Sequence, residues 1–134
     1  MIYAVIDTNV FVSALFTRRP DSATTKVVEF IAKKRITPLY NEEIMAEYQD
    51  VLSRDYFHIA EEERNTLFDY IRQFGKAAER VFIDTLFPDE SDRVFYEVAL
   101  SEEDSFLVTG NLKHFPADTR VVTPAQMISI LEKE

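Results

Sequence analysis

Four residues in separate stretches of the chain carry side chains suited to holding a hard cation: Asp7, Glu47, Asp92 and Asn111. Oxygen donors of this kind favour Mg²⁺ or Mn²⁺, and with no cysteine in the chain a thiolate zinc site is excluded. Such ions suit phosphodiester hydrolysis, because they activate water and stabilise the leaving oxygen. Each residue also has an ordinary role open to it. Asp7, in Val5-Ile6-Asp7-Thr8-Asn9, follows an apolar run. It fits equally the cap of a helix starting near Thr8 and a site at a strand end. Glu47 borders the helical stripe Ile44, Tyr48, Val51 and Leu52, whereas Glu43 and Asp50 point further toward water. A carboxylate at a core margin needs a partner, either a Lys or Arg or a metal. Asp92 shares a helix face with Phe95, Tyr96 and Ala99. An acid in a first helical turn also gains from the helix dipole, a role that Asp89 and Glu90 can fill without facing the core. Thr109-Gly110-Asn111 reads first as a turn, with Gly110 permitting close backbone approach and Thr109 and Asn111 offering oxygens. His114 is a candidate general base, although a single loop histidine is more often structural. His58 has no identifiable partner.

The elements that must position these residues alternate in type. Ile2–Ile6 is a continuous apolar run, as in a strand covered on both faces. Further strands are expected at Ile36–Tyr40, Val81–Ile83, Ser105–Val108 and Arg120–Val122. Helical patterns lie at Ser22–Lys34, Glu42–Arg54, Glu61–Phe74, Ser91–Leu100 and Pro124–Glu132. Thr123 before Pro124 makes a good cap and first turn for the last helix. Strands alternating with helices predict an α/β three-layer sandwich with a mostly parallel central sheet of four to five strands. In such sheets the site lies beyond the carboxyl ends of the strands, near a switch in strand order. Asp7, Glu47, Asp92 and Asn111 all map to that edge.

A length of 134 residues suits one domain, residues 1–134. No apolar run approaches the roughly 20 residues of a membrane span, and the start of the chain lacks the features of a signal peptide. A cytoplasmic protein with no membrane partner is the expectation. Only two glycines are present, which rules out a Gly-rich phosphate loop. The formal net charge of −9 is awkward for a nucleic-acid binder, which normally uses Lys and Arg to displace counterions. A divalent ion at converging acids would offset it, with Arg18, Arg19, Lys33, Lys34, Arg35 and Lys113 as candidate backbone contacts.

Taken together, these stretches resemble PIN-domain proteins, and within them the toxin components of bacterial and archaeal toxin–antitoxin pairs. Val5-Ile6-Asp7-Thr8-Asn9-Val10 looks like the family's first motif, with Asp7 as its first metal acid. Glu42–Leu52 looks like the second and puts the second acid on Glu47. Pro88–Leu100 looks like the third, with Asp92. Leu107-Val108-Thr109-Gly110-Asn111 through Lys113-His114-Phe115-Pro116 resembles a subgroup signature. Many PIN nucleases carry an acid after Thr-Gly, where this chain has Asn111, so one negative charge is lost; Asp104 and Asp89 are candidate substitutes. The resemblance implies a PIN-like fold and Mg²⁺- or Mn²⁺-dependent cleavage of RNA. It also implies homodimers and a cognate antitoxin protein. It makes Asp7, Glu47 and Asp92 the metal ligands and Asn111 a fourth catalytic residue, supported by Asn9, Thr109 and Asp89. The rival reading is a PIN fold that binds RNA or a protein without turnover. A signalling receiver domain is excluded, because Asp7 stands without the second acid that such domains need.

Overall fold

The structure is a computed structural model that describes residues 1–134. Five parallel strands form one sheet in the order β3-β2-β1-β4-β5: β1 Ile2–Ile6, β2 Ile36–Tyr40, β3 Lys76–Ala77, β4 Phe106–Val108 and β5 Val121–Val122. Six α-helices connect and cover them: α1 Thr8–Thr17, α2 Ala23–Ala32, α3 Glu42–Leu52, α4 Glu61–Phe74, α5 Arg93–Ala99 and α6 Pro124–Glu132. This is the expected α/β sandwich around a parallel sheet. The apolar run of β1 is central, and Ala4, Val5 and Ile6 are wholly buried, as a strand covered on both faces requires.

Most expected elements are present within a residue or two. Helix α6 has the expected start, since Thr123 accepts from Gln126 N and the Gln126 side chain returns to Thr123 N, with Pro124 in the first turn. Helix α1 occupies the segment after Asp7 that admitted either a cap or a site. The expected strand at Val81–Ile83 is not one. The third strand is Lys76–Ala77, paired with Leu39 and Tyr40. The amides of Val81 and Ile83 instead donate to the backbone oxygen and side-chain Oε2 of Glu97, at 3.0 Å each. Three β-prone residues fit a strand by type, but their hydrogen bonds go to α5. Val81 and Phe82 are left exposed.

The chain runs outward from β1 through β2 to β3, then returns to the other side of β1 for β4 and β5. The strand order therefore reverses between β1 and β4, and a crevice is expected beyond their carboxyl ends. Helices α1, α3 and α5 meet beside it around one buried phenol. The Tyr48 ring on α3 packs edge-on against Phe11 of α1, with centroids 5.1 Å apart, and lies 6.2 Å from Phe95 of α5. Its hydroxyl donates to the Ile6 carbonyl at the end of β1. Asp7 precedes α1, Glu47 precedes Tyr48, and Asp92 sits three residues before Phe95. The packing of one aromatic cluster thus gathers the three acidic segments. No helix is long and apolar enough to cross a membrane.

Candidate functional site

At the switch point, the ends of β1 and β4 are tied by side chains. Thr109 Oγ1 donates to Asp7 Oδ2 at 2.8 Å, and Asn9 Nδ2 donates to the same oxygen at 3.3 Å. Gly110 N donates to Asn9 Oδ1 at 3.2 Å. Asp7 holds the cap position of α1, yet its side chain makes no capping bond. Its carboxyl is buried and raised above the ordinary value, first by burial, against the opposing pull of the Thr109 hydroxyl, the Thr8 amide and the His114 charge. Gly110 does not adopt a left-handed conformation, and a Cβ there would meet only ordinary contacts with Asn9. Gly110 thus makes no use of the close approach that a glycine permits. The Cβ-free position is Gly75, where a Cβ would lie 2.4 Å from the Ile71 oxygen.

Glu47 projects half-buried from α3. The neighbouring acids of the helix face water, and there they take the cations: Glu42 pairs with Arg72, Glu43 with Arg80 and Asp50 with Arg54. Glu47 has no such pair. Its carboxyl is raised by burial and by the charges of Asp50, Asp7 and Asp89, with Arg54 opposing. Asp92 ends a short 3-10 turn, Glu90–Asp92, and leads into α5 without capping it. The capping bond belongs to Asp89, whose Oδ1 accepts from Ser91 N at 3.0 Å. This division of labour matches the expectation for the two aspartates. Asp92 is pushed up to about 6, by burial first and then by Asp7 and Asp89, with His114 opposing and Glu47 adding. Asp89 itself is exposed and lowered by its bonds to Ser91.

The charges of Asp7 and Asp89 thus bear on both Glu47 and Asp92 at the carboxyl edge of the sheet. Asn111 lies at the same edge. Its amide N donates to Thr109 Oγ1 at 3.0 Å, and its side-chain Nδ2 meets His114 Nε2 at 2.8 Å. His114, a candidate general base by type, thus lies against a site residue. The available signal was its spacing from Asn111, because residues three apart eclipse in a 3-10 turn, and Leu112–His114 is such a turn.

Other candidates lie elsewhere. Asp104 precedes β4, so it sits at the opposite, amino edge, in a hollow of about 700 Å³ with Tyr3, Glu102 and Arg120. It cannot stand in for the missing acid. Lys33, Lys34 and Arg35 precede β2 and share that amino edge, because a parallel crossover returns the chain there. Arg35 donates to the Leu131 carbonyl, and Lys34 lies over the Phe74 ring. Arg18 is held by both oxygens of Glu63. His58 is exposed after the short turn Asp55–Phe57. Of the six basic residues considered as backbone contacts, Lys113 stands nearest in sequence to the site residue Asn111.

A family model for the PIN domain matches residues 3–113. The chain belongs to the PIN-domain family. The matched span includes Asp7, Glu47, Asp92 and Asn111 and covers most of the PIN fold described above. No curated protein matches the chain. PIN domains are generally nucleases that depend on a divalent metal. The donor chemistry here fits a hard cation: carboxylate oxygens on Asp7, Glu47 and Asp92, with Asp92 Oδ2 buried and without a hydrogen bond. The carboxylates are not drawn into a closed coordination sphere, and no three His, Asp or Glu side chains are grouped to grip one ion. What they share is a field of negative charge that a cation would relieve.

Proposed function

We propose that this PIN domain is a Mg²⁺- or Mn²⁺-dependent endoribonuclease acting as the toxin of a toxin–antitoxin pair. The observation that carries the nuclease reading is Asp92 at the switch point, its Oδ2 buried without a hydrogen bond and its charge opposed by Asp7, Asp89 and Glu47. Asp92 reaches about 6 because burial and neighbouring carboxylates oppose its charge. Carboxylates perturbed by burial and by specific charged neighbours cluster at functional sites. Asp7, Glu47 and Asp92 would hold the ion, with Asn111 as a neutral fourth catalytic group. When bound, the ion supplies positive charge that acidifies the attacking water and neutralises the phosphodiester. The chain's own residues do the rest. Thr109 and Asn9 fix Asp7 Oδ2 and leave Oδ1 outside those two bonds. Tyr48 anchors α3 to the end of β1 and so sets where Glu47 projects. Asp89 holds the turn before Asp92. The toxin role, an antitoxin partner and a homodimer rest on the family resemblance of the motif stretches.

An assay on single-stranded RNA at fixed Mn²⁺ tests the reading, comparing wild type with Asp7→Asn. Cleavage by the wild type should stop with EDTA and fall by a hundredfold or more in the variant, on the order of removing one group that stabilises transition-state charge. Equal cleavage by both proteins would identify a contaminant. RNA binding without cleavage by either would favour the binding-module reading, which the loss of one acid at Asn111 supports.

A further inference from the structure

Two contacts of the His114 ring have no part in the reading above. Asp92 Oδ2 is buried and makes no hydrogen bond of good geometry, yet His114 Nδ1 stands 3.2 Å from it. The opposite ring nitrogen, Nε2, lies 2.8 Å from Asn111 Nδ2. The imidazole is thus held between two residues of the candidate site. The local fold explains the placement. His114 N donates to the Asn111 carbonyl at 3.2 Å and closes the 3-10 turn that stacks the two side chains. Phe115, buried against Phe87 at a centroid distance of 6.3 Å, pins the end of that turn to the segment leading into Asp92. An amide NH₂ is a donor only, so Nε2 accepts from Asn111 and a neutral ring carries its proton on Nδ1, the nitrogen 3.2 Å from Asp92 Oδ2.

We propose that His114 is a positioning residue: it bridges Asn111 and Asp92 and holds the Asp92 carboxylate in the orientation that binds the divalent ion. The inference rests on Asp92 being a metal ligand. Carboxylates that ligate metals are oriented by hydrogen-bond partners, and loss of such a partner typically weakens metal binding about 10- to 100-fold. Asn111 then contributes by being an amide. It supplies the proton that sets the tautomer of His114, which a carboxylate at that position would not do.

Calorimetric titration of Mn²⁺ into wild type, His114→Ala and His114→Asn tests the bridge, with melting curves in EDTA as a check on folding. His114→Ala should bind at least about tenfold more weakly. His114→Asn puts an amide donor near the position of Nδ1 and should recover most of the affinity. Equal affinity in wild type and His114→Ala would overturn the bridge and leave the metal reading standing. No binding by wild type would overturn both. A merely structural histidine would lower melting in EDTA without changing the Mn²⁺ constant. Nitrogen-15 NMR of the metal-free wild type gives a reading that needs no variant. The His114 ring should carry its neutral-state proton on Nδ1, and a proton on Nε2 would contradict the proposal.

Discussion

Asp92 is where the electrostatics of the crevice concentrate, and its behaviour with pH follows from that. Its carboxyl ionises near 3.8 in the unfolded chain and at about 6 in the folded one. The folded state therefore holds this proton more tightly, and raising the pH from about 4 to 6 costs stability. The loss is complete above the folded value and absent below the unfolded one. After discounting for solvent, it should be roughly 1 kcal/mol in metal-free protein. Urea unfolding of wild type and Asp92→Asn across that range isolates it. The two curves should diverge as pH rises, with the variant the more stable; parallel curves would show that Asp92 carries no such penalty. The three acidic candidates were visible in the sequence because each broke a simple pattern: Asp7 after an apolar run, Glu47 beside a helical stripe, Asp92 on a core-facing turn. His114 was visible only as a candidate base; its contact with Asp92 was not, because the two lie in separate turns that only the fold brings together.

At the level of elements, the segment before Asp92 is held by one buried acid. Glu97 on α5 is fully buried, and its Oε1 accepts from Arg80 Nε at 2.8 Å, while Oε2 accepts from Ile83 N at 3.0 Å. Arg93, one residue past Asp92, donates to the carbonyls of Ile83 and Thr85 at 2.9 and 2.6 Å. Two arginines and one glutamate thus fasten the irregular stretch that delivers Asp89 and Asp92. Removing Glu97 leaves Arg80, itself largely buried, without its main partner. Glu97→Ala should cost about 3 kcal/mol in chemical denaturation, in line with breaking one side of a buried ion pair. A change below 1 kcal/mol would mean that the stretch is held by other contacts. The misplaced strand has the same origin. Val81-Phe82-Ile83 has strand-like composition, but an ion network that no local pattern reveals takes its amides. Helices α4 and α6, and strands β1 and β2, were legible to the residue because their periodicity and end signals are local.

On the scale of the whole molecule, a chain of net charge −9 has to handle its own repulsion. Several carboxylates do so in surface ion pairs, as in Arg18–Glu63 and Arg72–Glu42. The acids of the crevice do not, and a cation bound there stabilises the folded state by mass action. At a hundredfold excess over Kd the gain is about 2.7 kcal/mol. Scanning calorimetry should accordingly show Mn²⁺ raising the melting temperature of wild type by several degrees and of Asp7→Asn by much less. Removal of a repelling acid can itself raise the metal-free melting point, so the metal-induced shift is the quantity to compare; equal shifts would move the binding site elsewhere. The parallel sheet and its carboxyl edge followed from the alternation of strand and helix patterns. The position of Lys33, Lys34, Arg35 and Asp104 at the other edge follows from the same crossover rule. The most direct measurement is a crystal soaked in Mn²⁺, read by anomalous scattering. If Asp7, Glu47 and Asp92 hold the ion, one peak should lie in the crevice within about 2.1 Å of oxygens from Asp7 and Asp92, with Glu47 turned toward it. A peak bound only at the surface pairs or in the hollow beside Asp104, with the crevice carboxylates unmoved, would contradict it.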